Sequence, residues 1–364
     1  MVISNPYSVE NGVAIIPEGT TILEKPVDDQ SISNLRILRI PKTVIRVDFE
    51  AWYFAKNLEE IIVEDGNPVY DSREGCNALI ETASNTIVLG CKNTIIPNSI
   101  EYIGRWSFEK TQIEEIFIPS SVIDIDCGAF SRCSNLKSVT LSEGLKSIGA
   151  WAFERCPIKK INLPESLVEI NSEVFIGCTN LERLYIPKNV EDIDTNLTGG
   201  CTSLKEIIVD QNNKFYDSRE GCNAIIETAS NTLMLGCAST IIPNGVQEIM
   251  YSAFRCIDGL KEIIIPSSVV EIREGAFFAN KNLESVIIHA PLKHILKSTF
   301  VKSHSLTKLH LAVGVKKISE SFVECNLNEI SVPFGKVEYY KQRLPENLHK
   351  HIVERVQPNL LKKD

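Results

Sequence analysis

Apolar positions recur along this chain with a period of about 23 residues, and this long spacing indicates a repeat protein. Apolar and polar residues alternate between positions 136 and 141, so this segment predicts a strand with Val139 and Leu141 pointing inward. A second extended run is predicted over residues 122–125, and a compact turn that carries Phe130 follows it. Each repeat is therefore predicted to be a coil with two strands and one bulky phenylalanine.

A turn residue, usually proline, closes the first strand of each coil, because proline has no N–H to donate to a neighbouring strand. These anchor positions lie 21 to 24 residues apart, except for two intervals of 33 residues. The anchors are Pro17, Pro41, Glu64, Pro97, Pro119, Ser142, Pro164, Pro187, Asp210, Pro243, Pro266, His289, Ala312 and Pro333. One coil cannot bury its own apolar edge, so the coils are expected to stack and form parallel β-sheets. The predicted fold class is a mainly-β repeat solenoid with short helical or irregular turns.

The two long intervals contain nearly identical segments. Residues 70–98 and 216–244 match at 24 of 29 positions, which indicates duplication of a block of several coils. The added residues predict a β-hairpin in each copy, with extended segments over 77–81 and 86–89 and a turn between them. These hairpins are expected either to protrude from the coils or to fold onto them.

The domain prediction is one solenoid over residues 1–364. It has an N-terminal cap at 1–16, repeats at 17–332 with hairpin insertions near 66–92 and 212–238, and a small C-terminal cap at 333–364. The cap prediction rests on a helical spacing of Val337, Tyr340 and Leu344 that Pro345 stops, followed by a short extended segment at Ile352 that could add a last strand. A solenoid needs such caps because its end coils would otherwise expose an apolar edge.

Composition is that of a folded protein, with 43% hydrophobic and 23% charged residues. The net charge of −9 and the pI near 5.4 disfavour general binding of nucleic acid or anionic membranes, which needs a clustered cationic surface. No apolar stretch approaches the ~18 residues that span a bilayer. The first residues also lack a cationic segment followed by an apolar run, so no signal peptide is predicted.

Sequence motifs for catalysis are not found. The chain has no phosphate-binding loop, no dinucleotide fingerprint, no zinc-protease helix and no nucleophile elbow. We therefore predict no enzyme activity, no catalytic residue, no cofactor and no metal site. Asp71, Arg73 and Glu74, with their twins Asp217, Arg219 and Glu220, are interpreted as turn residues, with a polar or calcium site as the alternative.

Four of the eleven cysteines, Cys133, Cys156, Cys178 and Cys201, recur at one position of successive coils, and Cys256 and Cys325 lie within a residue of it. This recurrence predicts a ladder of small buried side chains, while disulfides between neighbouring coils are the alternative. An odd number of cysteines also suits a reducing compartment. The six histidines do not assemble a zinc ligand set and are interpreted as surface residues.

One column of positions is a candidate binding surface. It lies two residues before each anchor and is called the outward column below. Its members are Arg39, Ile62, Ile95, Phe117, Thr140, Asn162, Tyr185, Ile208, Ile241, Ile264, Ile287, His310 and Ser331. Eight of these thirteen are large and apolar or aromatic although the strand phase points them to solvent, and an exposed apolar stripe commonly marks a binding surface.

The apolar character of the column also has two alternative causes: β-branched residues favour strands in general, and hairpins or a partner protomer could cover the stripe. An adjacent polar column is formed by Glu115, Lys160, Arg183, Glu206 and Glu262. The predicted partner-binding residues are Ile95, Phe117, Lys160, Arg183, Tyr185, Ile208, Ile241, Ile264, Ile287 and His310.

Repeats such as IPSSVIDIDCGAFSRCSNLKSVTL and IPSSVVEIREGAFFANKNLESVII resemble the BspA-like, or Treponema-type, leucine-rich repeat family of bacteria and some protists. The resemblance extends from about Pro17 to Pro333 and implies a right-handed leucine-rich-repeat coil. It also implies a surface-exposed or secreted protein that adheres to host matrix proteins such as fibronectin and fibrinogen, or to other microbial cells. The resemblance carries over no catalytic residues.

Three functions follow as hypotheses. The first is a non-enzymatic protein-binding protein that adheres to a host or microbial surface protein. The second is an intracellular scaffold or immunity-type inhibitor, and the third is a carbohydrate-active enzyme on a β-solenoid, which lacks the recurring inward carboxylates it would need. The expected location is the cell surface or the medium by resemblance, and the cytoplasm if the chain as given is complete. The predicted partner is another protein, with no nucleic acid and no membrane insertion, and the oligomeric state is open.

Overall fold

The computed structural model describes residues 4–5, 7–24, 32–48, 55–312 and 314–355. The chain divides into two compact units. Unit 1 comprises Met1–Leu181 and Pro187–Thr198, and unit 2 comprises Glu182–Ile186 and Gly199–Asp364. Each unit is a mainly-β solenoid, as predicted, with parallel sheets that run along successive coils.

Four-residue strands form the first sheet of the coils, and in each of them inward and outward side chains alternate. In unit 1 they are Ile37–Ile40, Glu60–Val63, Glu115–Ile118 and Ser138–Leu141. In unit 2 they are Arg183–Ile186, Glu206–Val209, Glu262–Ile265, Ser285–Ile288, Lys308–Leu311 and Glu329–Val332. Neighbouring strands pair in parallel and in register, as where Phe117 lies beside Thr140.

Not every predicted strand of the first sheet forms. Residues 94–96 and 240–242 are irregular because the inserted hairpins take over their backbone contacts. The N–H of Ile95 donates to the carbonyl of Cys76 at 3.0 Å, and the N–H of Ile241 donates to Cys222 at 3.1 Å. Residues 161–163 also form no strand, and nothing in the structure explains this.

Two-residue strands form the second sheet. In unit 1 they are Ser4–Asn5, Ile22–Leu23, Arg46–Val47, Tyr102–Ile103, Asp124–Ile125, Ser147–Ile148, Glu169–Ile170 and Asp192–Ile193. In unit 2 they are Glu248–Ile249, Glu271–Ile272, His294–Ile295 and Lys317–Ile318. The strand predicted over residues 122–125 is thus shorter than expected, because Val122 is part of the preceding turn and donates its N–H to the carbonyl of Pro119.

The two hairpins fold into the second sheet instead of protruding. Their strands are Tyr70–Asp71, Ala78–Glu81 and Thr86–Gly90 in unit 1, and Tyr216–Asp217, Ala224–Glu227 and Thr232–Gly236 in unit 2. Within each hairpin the strands are antiparallel, and the last strand pairs in parallel with the short strand of the next coil. A 3-10 turn, Arg73–Gly75 or Arg219–Gly221, leads into each hairpin. The hairpin side chains Leu79, Ile80 and Ile87 are fully buried, so the insertions extend the core.

The described parts of both chain ends carry additional elements. Near the N-terminus Ser8–Glu10 pairs antiparallel with Val13–Ile15. At the C-terminus the helix Val337–Lys341 and the 3-10 helix Glu346–His351 precede a last strand, Ile352–Glu354, which pairs in parallel with Glu329–Val332. The predicted helical spacing and last strand are therefore present, while residues 1–3, 6 and 356–364 of the predicted caps lie outside the described residues.

Stacked phenylalanines fill the turn side of four successive coils in each unit. The rings are those of Phe108, Phe130, Phe153 and Phe175 in unit 1 and of Phe254, Phe277, Phe300 and Phe322 in unit 2. Successive ring centroids lie 4.8 to 5.9 Å apart, so each ring covers its neighbour. The first ring of each stack packs directly against a glycine. A Cβ on Gly90 would lie 2.0 Å from the Phe108 ring, and one on Gly236 would lie 2.2 Å from the Phe254 ring, so neither position has room for a side chain.

The cysteine ladder lies three residues after these phenylalanines. Cys133, Cys156 and Cys178 are buried, and each thiol donates a hydrogen bond of 3.0 Å to the phenylalanine carbonyl of the preceding coil. Asn280 takes the same position in unit 2 and donates to the Phe254 carbonyl at 2.8 Å. All eleven cysteines are free thiols, so the position serves burial and hydrogen bonding and no disulfide forms.

Candidate functional site

The outward column of unit 2 lies on the solvent side of the first sheet. Parallel pairing sets Tyr185 beside Ile208, and it sets Ile264, Ile287 and His310 side by side in three successive strands. Alternation along each strand turns these side chains away from the core. Ile264 is 47% exposed and Ile241 is 77% exposed, while Tyr185, Ile208, Ile287 and His310 are half-buried.

A shallow depression lies at the centre of this part of the column. Ile241, Glu262 and Ile264 line it together with Asn244, Pro266 and His289. Two isoleucines thus form its apolar surface, and a carboxylate and an amide flank them. This combination of an apolar centre and a polar rim is typical of protein-binding surfaces.

Charged and polar groups fix the end of the unit 2 column near Tyr185. Arg183 and Glu206 face each other on neighbouring strands and form an ion pair, which holds the pKa of the Glu206 carboxyl below its usual value. The Tyr185 hydroxyl donates a hydrogen bond to the Asp210 carboxylate. Since the ring of Tyr185 is held in place, it presents a preformed aromatic surface.

His310 is the member of the column whose side chain titrates nearest to neutral pH. Its Nδ1 lies 2.8 Å from the Ser331 hydroxyl, and its ring meets His289 edge-on at 6.2 Å between centroids. Burial lowers the pKa of His310, and the positive charge of Arg355 and the neighbouring His289 lower it further. The imidazole therefore stays neutral to a lower pH than a free histidine.

The outward column of unit 1 is shorter and becomes polar along its length. Ile95 and Phe117 are 73% and 57% exposed, and they are its most prominent apolar members. Thr140, Asn162 and the polar neighbour Lys160 follow as exposed polar residues, while Ile62 is half-buried beside Arg39. The structure therefore places all thirteen column positions outside the core, as the strand phase predicted. In unit 1 the exposed apolar surface of the column is concentrated at Ile95 and Phe117.

The hairpin side chains considered as a calcium site are engaged with one another. Arg73 donates to the Asp71 carboxylate at 2.7 Å, and Thr82 donates to it at 3.0 Å. Burial alone would raise the pKa of Asp71, but these hydrogen bonds outweigh it and hold the pKa below the usual value. Asp217 and Arg219 repeat the arrangement, so both pairs lock the start of their hairpin.

Metal-binding clusters and membrane-spanning helices are two further features that would indicate a function. Within the described residues, histidine, cysteine and carboxylate side chains form no group of three or more that could hold a metal ion. The same part of the chain contains no helix that is both long and apolar enough to cross a bilayer.

Sequence reasoning missed one exposed aromatic feature of unit 1. Trp106 and Trp151 lie in the turns that precede the phenylalanine stack, and their ring centroids are 6.4 Å apart with planes inclined by 16°. These two residues are called the indole pair below. Their common position, two residues before the stacked phenylalanine, was visible in the sequence and could have identified them.

Comparisons with known proteins agree with this architecture. The family model described as BspA type leucine rich repeat region matches residues 101–220 and 234–344, in six copies. No sequence among the curated proteins matches the chain significantly.

Two solved structures show the same fold. A leucine-rich repeat protein from Eubacterium ventriosum ATCC 27560 is 17% identical, with 90% of this chain and 84% of that chain covered and a TM-score of 0.54. A leucine rich cell surface protein from Faecalibacterium prausnitzii A2-165 is 20% identical, with 96% and 86% covered and a TM-score of 0.52. At this level of identity the comparison establishes the fold.

Proposed function

Because the chain belongs to the BspA-type leucine-rich repeat family, we propose that it is a non-enzymatic protein-binding protein whose outward column contacts the partner. The observation that carries the proposal is the exposure of Phe117 and Ile264 on strands of the first sheet, and of Ile95 and Ile241 at the same column position in irregular segments. Large apolar side chains that stay exposed on a rigid surface lose little conformational freedom when a partner covers them.

The proposed use is adhesion to a protein on a host or microbial surface. The Faecalibacterium protein of the same fold is a cell surface protein, and we propose the same setting for this chain. Aromatic and isoleucine side chains would act as the central contacts, with Lys160, Arg183 and Glu262 as a polar rim. Repeat proteins suit this task because stacked coils present an extended regular surface.

The test measures, by interferometry, whether the purified chain binds directly to immobilised fibronectin and fibrinogen. The variant Phe117→Ser/Tyr185→Ser/Ile264→Ser is expected to weaken binding by at least about tenfold, because it removes three central contacts. The matched control is Ile45→Ser/Val270→Ser/Val323→Ser, which removes three apolar side chains that are 50%, 58% and 49% exposed outside the column. The control should bind like the unchanged chain.

Two outcomes would overturn the proposal in different ways. Undiminished binding by the column variant shows that the contact surface lies elsewhere. Failure of the unchanged chain to bind either matrix protein, together with an exclusively cytoplasmic location in fractionated cells of the source organism, removes the adhesion hypothesis altogether.

A further inference from the structure

The indole pair occupies the same position in two coils of unit 1 that are separated by one coil. The intervening coil has Gly128 at this position. All three residues have a left-handed backbone, with φ of 56° at Trp106, 65° at Gly128 and 57° at Trp151. The same φ therefore occurs here with either tryptophan or glycine.

The fold itself does not require an indole here. Glu173 takes the same position in the next coil with φ of 58°, and in unit 2 Ser252 and Ser298 take it with φ of 58° and 63°. A left-handed φ is uncommon for a bulky residue, so tryptophan is not favoured by the backbone. The presence of two indoles on one turn surface therefore points to a role beyond folding.

Gly128 makes room for the Trp106 ring. A Cβ added to Gly128 would lie 2.0 Å from two atoms of that ring, so the indole fills the space that a side chain would take. Its twin in unit 2, Gly275, has the same φ of 65°, and a Cβ there would meet only the Phe278 Cβ at 3.9 Å. The close fit between glycine and indole is thus specific to unit 1.

Hydrogen bonds hold the second indole in place. The Trp151 Nε1 donates to one carboxylate oxygen of Glu173 at 2.5 Å, and the Asn196 amide donates to the other oxygen at 2.8 Å. Trp151 nevertheless remains 36% exposed, and Trp106 is half-buried. Trp151 is therefore fixed and accessible. Because the two ring centroids are 6.4 Å apart, a single cation above the pair can lie within about 6 Å of both, which is the range of cation–π attraction.

Carboxylates and guanidinium groups both lie near the indole pair. Glu173 contacts Trp151 directly, and Asp126 lies two residues before Gly128. Asp126 and Glu169 are close enough to Asp124 that they add to the effect of burial in raising its pKa. Three positively charged residues are also near. Arg105 precedes Trp106, and Arg132 and Arg155 both pair with Glu154, at 3.3 and 3.5 Å.

We propose that the indole pair is a binding slot for a cationic side chain, arginine or lysine, that a partner peptide presents. The faces of the two indoles attract the cation, and the Glu173 carboxylate complements its charge. A guanidinium fits best, because it is planar and more weakly hydrated than an ammonium. This slot lies on the turns of unit 1 and is independent of the outward column.

The experiment is a fluorescence titration of the full chain with the peptide Ac-Arg-Gly-Arg-amide. A Trp52→Phe background leaves the indole pair as the source of the signal, since the chain contains three tryptophans. The expected result is a saturable change with the arginine peptide and none with the matched citrulline peptide, which has the same shape without the charge. Trp106→Ser and Trp151→Ser should each weaken binding roughly tenfold.

Two variants separate the slot from a general effect on folding. Gly128→Ala should displace the Trp106 ring and weaken binding, whereas Gly275→Ala adds the same strain in unit 2 and should leave binding unchanged. Glu173→Gln removes the charge and one of the two oxygens that accept from Trp151 and Asn196, and it should weaken binding. An equal response to citrulline, saturation by a neutral disaccharide in place of arginine, or unchanged binding by Trp106→Ser and Trp151→Ser, folded by circular dichroism, would each overturn the proposal.

Discussion

The two blocks that begin with the duplicated segments, residues 70–98 in unit 1 and 216–244 in unit 2, share their interior and differ at their surface. Both begin with the same hairpin, and in both a glycine at its end receives the first stacked phenylalanine. On the outside, unit 2 continues from Ile264 to Ile287, while unit 1 continues from Phe117 to Thr140. The turns of unit 1 carry the indole pair where unit 2 has serines. Duplication has thus kept the packing rules and left the exposed positions free to diverge.

The largest change in the free energy of unfolding is expected when the first phenylalanine ring of each stack is removed. Phe108→Ala and Phe254→Ala should each lower the free energy of unfolding by about 3–5 kcal/mol, because both rings are fully buried. Urea unfolding followed by circular dichroism measures the loss. Phe215→Ala, at a ring that is 43% exposed, is the control and should cost less than about 1 kcal/mol. A large loss in one block only would show that the two interiors are not equivalent.

The ladder next to the phenylalanines should distinguish the blocks. Asn280→Ala in unit 2 is expected to cost about 2–4 kcal/mol, because its amide bonds the carbonyls of Phe254 and Phe277 and accepts from the Ile257 N–H. Cys156→Ala in unit 1 removes one thiol hydrogen bond and should cost about 1 kcal/mol. The same unfolding measurement applies. Equal losses would contradict the larger role assigned to the asparagine.

The hairpin glycines provide a third test. Gly90→Ala and Gly236→Ala should each destabilise the chain by about 1–3 kcal/mol, because the new methyl group collides with the adjacent phenylalanine ring. Combining Gly90→Ala with Phe108→Leu should recover part of the loss, since the smaller side chain makes room. A double-mutant cycle measures this coupling, and strictly additive losses would rule out the contact.

The smallest expected effect is the pH dependence that comes from His310 in unit 2. Because the pKa of His310 is lowered in the folded chain, the unfolded chain takes up its proton first as the pH falls below about 6.5. Stability contributed by the neutral imidazole is therefore present above that pH and declines with acidification. His310→Asn, which introduces the residue of the matching unit 1 position, Asn162, should reduce the difference between urea midpoints at pH 7.5 and 5.5. An unchanged difference would show that His310 does not contribute.

Much of the fold could be predicted from the sequence because the same pattern of buried apolar positions and turn residues recurs in successive coils. Period-2 alternation and turn prolines located the strands of the first sheet, and the duplicated segment located both hairpins. Periodicity could not tell whether a hairpin protrudes, because this depends on the parallel pairing of Thr86–Gly90 with Tyr102–Ile103. Periodicity also could not show that the cysteine ladder donates hydrogen bonds. Cysteine suits a small buried apolar position as well as a position that needs a weak donor, so its recurrence does not distinguish the two.

The candidate surfaces were predicted less completely. The strand phase placed the outward column on the solvent side, but the degree of exposure of Ile241 and Ile287 depends on neighbouring coils. Both tryptophans lie two positions before a stacked phenylalanine, but they are 45 positions apart, and their proximity depends on how the coils stack. Contacts of this kind need the stacking geometry of the coils, which composition and spacing do not contain.

The buried thiols also change what the cysteine content can say about where the chain works. Burial raises the pKa of Cys178 to about 12 and those of Cys76 and Cys222 to about 11. Only the thiolate reacts readily with oxidants and disulfides, so these residues are chemically silent while the coils stay stacked. Free cysteines of this kind are as compatible with an oxidising exterior as with a reducing cytoplasm. Their reactivity would instead appear on unfolding, which makes them internal reporters of the integrity of the coils.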